Sequence, residues 1–164
     1  MTERKALSPG PELQFHIESL LARYALALDE GDLESWPGLF IDDCVYQLIS
    51  RENADRNMPI AAIFCDSKAM LIDRVVSLRH ANIYEKHNYR HIISTTHIDG
   101  IADGVIRARS NYVVYRTRTA GLTEIYNAGI YHDEIVVTDG GYRFKAKRAV
   151  FDTNIIDSLL ATPI

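Results

Sequence analysis

Gly104 to Arg118, GVIRARSNYVVYRTR, is the stretch on which the fold turns. Alternate positions Ile106, Ala108, Ser110, Tyr112 and Val114 share one face, while Arg107 and Arg109 point the other way. A period of two held over so many residues predicts a long antiparallel strand with one face buried and the other wet. The same pattern continues downstream. Gly121 breaks the run, and Leu122 to Val137 resumes it with Gly129 as a bulge or bend. Thr138-Asp139-Gly140-Gly141 then reads as a hairpin turn. In the last run Tyr142, Phe144, Ala146, Arg148 and Val150 are predicted on one face, against Arg143, Lys145 and Lys147 on the other.

Upstream the period changes to that of a helix. Residues 12 to 29 align Leu13, Ile17, Leu20, Leu21, Tyr24 and Leu28, with Pro11 suited to the first turn and Gly31 to the left-handed stop. Asp32 is predicted to cap a short helix carrying Trp36, Leu39 and Phe40, with Pro37 near its start. Cys44 to Ser50 reads as a strand, RENADRN (51–57) as a polar loop, and Pro59 to Cys65 as a strand or buried segment. Asp66 or Ser67 opens a further helix that aligns Met70, Leu71, Val75 and Leu78 and ends near His80. Helices followed by long antiparallel strands give an α+β architecture: a strongly curved sheet around the N-terminal helix, a half-open cone. This order of elements resembles the nuclear-transport-factor-2-like (NTF2-like, or SnoaL-like) cone fold. That fold hosts enzymes, binding modules and scaffold subunits, so it assigns no function by itself. Residues 1 to 10 read as an N-terminal extension and 11 to 164 as a single domain.

A chain of 164 residues, 47% hydrophobic, has enough apolar material for one core. Its formal net charge of -4 argues against a general nucleic-acid binder. No apolar run is long enough to span a membrane, and MTERKALSPG lacks the apolar segment of a secretion signal, so a soluble cytoplasmic protein is expected. Cys44 and Cys65 are then expected as buried thiols.

Few motifs carry chemistry. There is no HExxH pattern, no ligand spacing for a Rieske cluster, no nucleophile elbow and no glycine-rich phosphate loop. His87 and His91 would share a face only in a helix that is expected to have ended. His91 and His97, six apart in a strand, point to the same side, yet histidines bonded to backbone or carboxylate are the simpler reading, and no metal is expected. Asp42 and Asp43 before Cys44 would raise the pKa of that thiol rather than lower it. Acid–base catalysis would need Asp43, Tyr46, His91, Tyr112 and Tyr126 to converge in the mouth of a cone. The alternative is that the tyrosines are core residues with bonded hydroxyls.

One block stands apart. Asp73 to His91, DRVVSLRHANIYEKHNYRH, gathers Arg74, Arg79, His80, Lys86, His87, Arg90 and His91 around Tyr84 and Tyr89 on an acidic chain. Three partners would satisfy it: another subunit, acids within the chain, or an anionic ligand. Tyrosine and arginine are enriched at interface hot spots, which favours the first.

The segments WPGLFIDDCVYQL (36–48), ENADRNMP (52–59), CDSKAMLIDR (65–74), LRHANIYEKHNYRHI (78–92) and FDTNIIDSLLATPI (151–164) resemble the small, or β, subunits of aromatic-ring-hydroxylating dioxygenases. The flavour is that of enzymes acting on aromatic carboxylates such as benzoate, anthranilate, salicylate or terephthalate. The resemblance implies a cone-fold subunit without catalytic, cofactor or metal residues of its own, assembled with other β subunits and large α subunits as an α3β3 hexamer. The α subunit would carry the Rieske [2Fe–2S] cluster and the mononuclear Fe(II), and a reductase, with or without a ferredoxin, would deliver electrons from NADH to it. Arg74, Arg79, Tyr84, Tyr89, Arg90 and His91 are then candidates for subunit contacts. Two other readings remain: a stand-alone cone-fold dehydratase or isomerase using the Asp43, Tyr46, His91, Tyr112 and Tyr126 set, and a homodimeric ligand-binding module.

Overall fold

Pro11 opens the first helix, α1 (Pro11–Asp29), and Gly31, at φ 72°, turns the chain out of it as expected. Ile17, Leu20, Leu21, Tyr24 and Leu28 are buried along one face, with Leu13 half-buried at its start. The computed structural model describes residues 10–80, 86–153, 160 and 162–164. The extension expected over 1–10 therefore lies, Gly10 apart, outside the described residues, as does Tyr84.

The predicted second helix is only a 3-10 turn, Trp36–Leu39, with Ser35 rather than Asp32 at its cap. Gly38 propagates a helix poorly and the β-prone pair Phe40 and Ile41 follows, so the chain goes straight into β1 (Phe40–Ser50). The segment read as a polar loop instead forms α2 (Arg51–Asp55), because the Ser50 hydroxyl accepts the Asn53 amide at 3.3 Å and caps it. After β2 (Ile63–Cys65), the Ser67 hydroxyl accepts the Met70 amide and starts α3 (Lys68–His80). Leu71, Val75 and Leu78 of α3 are buried, while Met70 faces solvent.

Five further strands follow: β3 (His87–Ile93), β4 (His97–Ala102), β5 (Val105–Arg118), β6 (Thr123–Thr138) and β7 (Gly141–Phe151). The sheet order is β2-β1-β7-β6-β5-β3, with β4 also pairing β5; β1 and β7 run parallel and the other pairs antiparallel. The β5 alternation is as read, with Ile106, Ala108, Ser110, Tyr112 and Val114 all inside. The Asp139-Gly140 hairpin is also in place, Thr138 facing Gly141. The sheet curls around α1, and the core lies between its concave face and that helix.

Two expectations about the sheet fail. Gly129 is not a bulge, since its pairing with Tyr112 and Phe151 is regular on both sides. It is a point of close approach: a Cβ there would lie 2.8 Å from Phe151 Cα and closer still to the Val150 carbonyl oxygen. The irregularities of β6 lie on either side of it: Val114 and Tyr115 face Asn127 and Ile125 and so skip Tyr126, and Glu134 and Ile135 face Ala146 and Phe144 and so skip Lys145. One extra residue reverses the parity of β7 beyond it. Lys147, Ala149 and Phe151 turn inward, and Arg148, predicted on the buried face, reaches Gln47 Oε1 at 3.0 Å instead.

Candidate functional site

The inner surface of the cone is aromatic. Tyr24 of α1, Trp36, Phe40 and Tyr46 of β1, Tyr112 of β5, Tyr131 of β6 and Phe144 of β7 are all buried, mostly edge to face. Into this shell the chain inserts Ile164. The Tyr24 and Tyr46 hydroxyls each lie 2.8 Å from the main-chain oxygen of Ile164, and the Ile164 amide donates to Tyr46 Oη at 3.1 Å. Burial pushes the Tyr46 phenol up to about 12 and Tyr24 well above its ordinary value, so both hydroxyls keep their protons and act as donors. Arg74 of α3 secures the same segment by donating to the Leu160 carbonyl at 3.1 Å.

Nearby, Lys147 and Asp133 form an ion pair that solvent does not reach, with Nζ 3.0 Å from the carboxylate. The ammonium lies 3.7 Å from the Tyr131 ring centre, 4.4 Å from that of Tyr24 and 4.7 Å from that of Phe144. Burial pushes Asp133 up and Lys147 down, while their mutual attraction pulls each back toward its charged form. Tyr112 stacks on Tyr131 at 4.1 Å and donates to Asn127 Oδ1.

The five residues weighed for acid–base work do not form one cluster. Asp43 faces solvent from β1. Tyr46 and Tyr112 are consumed by the bonds just described. His91 is buried against Asp29, whose carboxylate accepts its ring Nδ1 at 2.6 Å and its amide at 2.9 Å. Tyr126 stacks on Tyr89 at 5.3 Å beneath the Arg116 guanidinium. His91 lines a groove of about 510 Å³ between α1 and β3, and Tyr126 lines a separate one of about 460 Å³.

Three members of the cationic block, Arg74, Arg79 and His91, are bonded within the chain. Arg79 grips Glu34 through two 2.8 Å contacts and reaches the Gly31 carbonyl, and that grip holds the Glu34 carboxyl down at about 2. Tyr89 is buried and edge-on to His91. Arg90 is exposed on β3, opposite Tyr115 of β5. His97, expected near His91, sits exposed on β4 at 3.6 Å from Asp99, because the chain changes strand between them. Among the described residues no three His, Cys, Asp or Glu side chains are placed to hold a metal ion. Cys44 is pushed up to about 11, chiefly by burial, with the neighbouring Asp43 a smaller cause than the sequence suggested.

A sequence model of the ring hydroxylating beta subunit family matches residues 23–158. The chain belongs to that family. This β subunit is 49% identical, over 92% of its length and 93% of the relative's, to the anthranilate 1,2-dioxygenase small subunit of Burkholderia cepacia. It is 34% identical, over 92% of its length and 98% of the relative's, to a terephthalate 1,2-dioxygenase terminal oxygenase subunit beta of Comamonas sp. A crystal structure attributed to the beta subunit of an aromatic-ring-hydroxylating dioxygenase of Novosphingobium aromaticivorans superposes with a TM-score of 0.84. The two are 48% identical, over 92% of this chain and 96% of the other. The β subunit is thus the small component of a ring-hydroxylating dioxygenase, an oxidoreductase complex in which an α subunit is its partner. No described helix of it is long and apolar enough to cross a membrane.

The sequence reading missed the Asp133–Lys147 pair and the Asp29 clamp on His91. For Asp133 a signal existed. It sits between Tyr131 and Ile135 at the period of the buried face, so the alternation alone places an acid inside. For Lys147 the signal was cancelled by the bulge.

Proposed function

We propose that this chain is the structural subunit of an α3β3 oxygenase that hydroxylates an aromatic carboxylate of the anthranilate type. The partner α subunits would carry the Rieske cluster and the mononuclear iron and receive NADH-derived electrons from a reductase. The observation that supports a structural role is the dispersal of the acid–base set: Asp43 faces solvent, Tyr46 and Tyr112 are bonded inside the core, and His91 and Tyr126 line two separate grooves rather than one cavity mouth. The stand-alone dehydratase or isomerase reading needs such a mouth.

Assembly needs an outer surface. The convex face of β3, β5 and β6 sets Arg90 beside Tyr115 and Tyr115 beside Ile125, with Ile92 beside Val113 in the next row. Ile92 is 54% and Ile125 66% exposed, and an exposed apolar and aromatic patch with an arginine is the composition of a protein contact. Arg90 is the member of the original candidate set best placed for it. Arg74, Arg79, Tyr89 and His91 would support the contact from within by fixing α3 and β3.

Co-expression with the large subunit, size-exclusion chromatography and iron analysis test the reading. The expected result is one iron-containing hexamer that turns over anthranilate faster than terephthalate or benzoate. A colourless chain that elutes alone and itself transforms an organic substrate would overturn it.

A further inference from the structure

The groove of about 460 Å³ that Tyr126 lines opens where the end of β5, the start of β6 and the end of β7 meet, and Arg116, Asn127, Ala128 and Asp152 line it too. In a regular strand two successive side chains point to opposite faces. Here β5 pairs Val114 with Asn127 and Tyr115 with Ile125, and the skipped Tyr126 lines the same groove as its neighbour Asn127. Each of the two carries a buried polar atom without a hydrogen-bond partner, Tyr126 Oη and Asn127 Nδ2. Tyr112 fixes the sense of the Asn127 amide. Its hydroxyl, kept protonated by burial, donates to Asn127 Oδ1 at 2.8 Å, so the unpartnered end is the donating one. Acceptors in the same wall are already engaged. The Glu124 carboxylate takes Arg116 Nε at 2.9 Å and Arg118 Nε at 3.1 Å, Asp152 is paired with Arg51, and the Ala128 carbonyl takes the Asp152 amide at 2.9 Å. The Arg116 guanidinium, 4.4 Å from the Tyr126 ring centre, brings positive charge to the two unpartnered groups. Donors without acceptors beside a cation call for an anionic oxygen.

We propose that this groove is a binding site for a small carboxylate, which accepts from Asn127 Nδ2 and Tyr126 Oη and lays its carbon body against Ala128 and Ile125. Its volume lies within the range of small-molecule sites. Of its described lining residues only Ile125 belongs also to the convex patch, and the site needs nothing from the partner's iron. It therefore stands or falls separately from the dioxygenase reading.

The test follows amide exchange by mass spectrometry in the β6 peptide that holds Tyr126 and Asn127, using the chain co-expressed with its large subunit. Reading this one peptide separates the groove from any carboxylate site on the large subunit. The probes are benzoate, benzamide and benzylammonium, which share a ring and differ in the charge of the head. Benzoate should slow exchange saturably, benzamide more weakly and benzylammonium not at all. No protection by benzoate, or protection by either other probe at least as strong, overturns the proposal. Tyr126→Phe removes one donor and keeps the ring stacked on Tyr89 beneath Arg116. The lost hydroxyl has no partner in the fold, so the thermal midpoint should hold while the half-saturating benzoate concentration rises about tenfold. An unchanged half-saturation overturns the site. Asn127→Asp keeps the oxygen that holds Tyr112 but replaces the donor with an acceptor, so protection should vanish; protection that persists overturns the site as well. Should Asn127→Asp fail to fold, Tyr126→Phe decides alone.

Discussion

Lys147 and Asp133 face each other on neighbouring strands with both side chains wholly out of solvent, the ammonium 3.0 Å and 3.2 Å from the two carboxylate oxygens. Three aromatic rings close the space around the cation. Such a pair adds little net stability, but each member makes the other tolerable. Lys147→Met alone leaves a buried acid without its counter-charge and should cost about 3–5 kcal/mol in urea unfolding. Adding Asp133→Leu should return most of that loss. A double variant no more stable than the single one would show that the pair contributes outright.

Gly129→Ala should be costly for a different reason. Its Cβ would press on the Val150 carbonyl and the Phe151 Cα, both main-chain atoms that can shift only with the whole strand. A loss of about 3 kcal/mol is expected. Gly100→Ala, where a Cβ meets nothing within 4 Å, should stay within about 0.5 kcal/mol. Comparable midpoints for the two variants would contradict the close approach.

The Arg79–Glu34 grip predicts a pH signature. Glu34 is held at about 2 in the folded chain against an ordinary value of 4.5, so its ionised form is favoured by folding. The stabilisation is therefore present above about pH 4.5 and disappears as pH falls toward 2. Urea midpoints of the native chain and Glu34→Gln should differ at pH 7 and converge below pH 3, with the gap narrowed by salt because both groups are exposed. A gap that persists at low pH would mean the ion pair is not its cause.

On the convex face, Arg90→Ala with Tyr115→Ala should weaken assembly without altering the fold of the subunit. Truncating two interface anchors typically costs about 2 kcal/mol or more, roughly a thirtyfold loss of affinity. Dilution series on a sizing column would show the hexamer falling apart at correspondingly higher concentration. Unchanged dissociation would remove this face from the contact.

Much of this fold is legible in period alone. The α1 stripe and the β5 alternation put their residues inside because nothing local disturbs the repeat. The readings fail where a local event competes with the pattern. Ser50 caps a turn in what looked like a loop, and one skipped residue at Lys145 reverses everything after it. The cationic block reads as a surface in one dimension because its acids, Glu34 and Asp29, lie on other elements far away in sequence. The Ile164 seat was beyond the reach of pattern reasoning, since it depends on a contact across 118 residues.

The parallel pairing of β1 with β7 also has a temporal side. Gln47 and Arg148 meet across 101 positions, so β1 is made long before the neighbour that ties it to the rest of the sheet. At translation rates of about 5–20 residues per second, β1 waits roughly 5–20 s on the ribosome with one flank uncovered. Over that interval the nascent polypeptide carries an open edge, and β7 is the clasp that joins β1 to the remainder of the sheet.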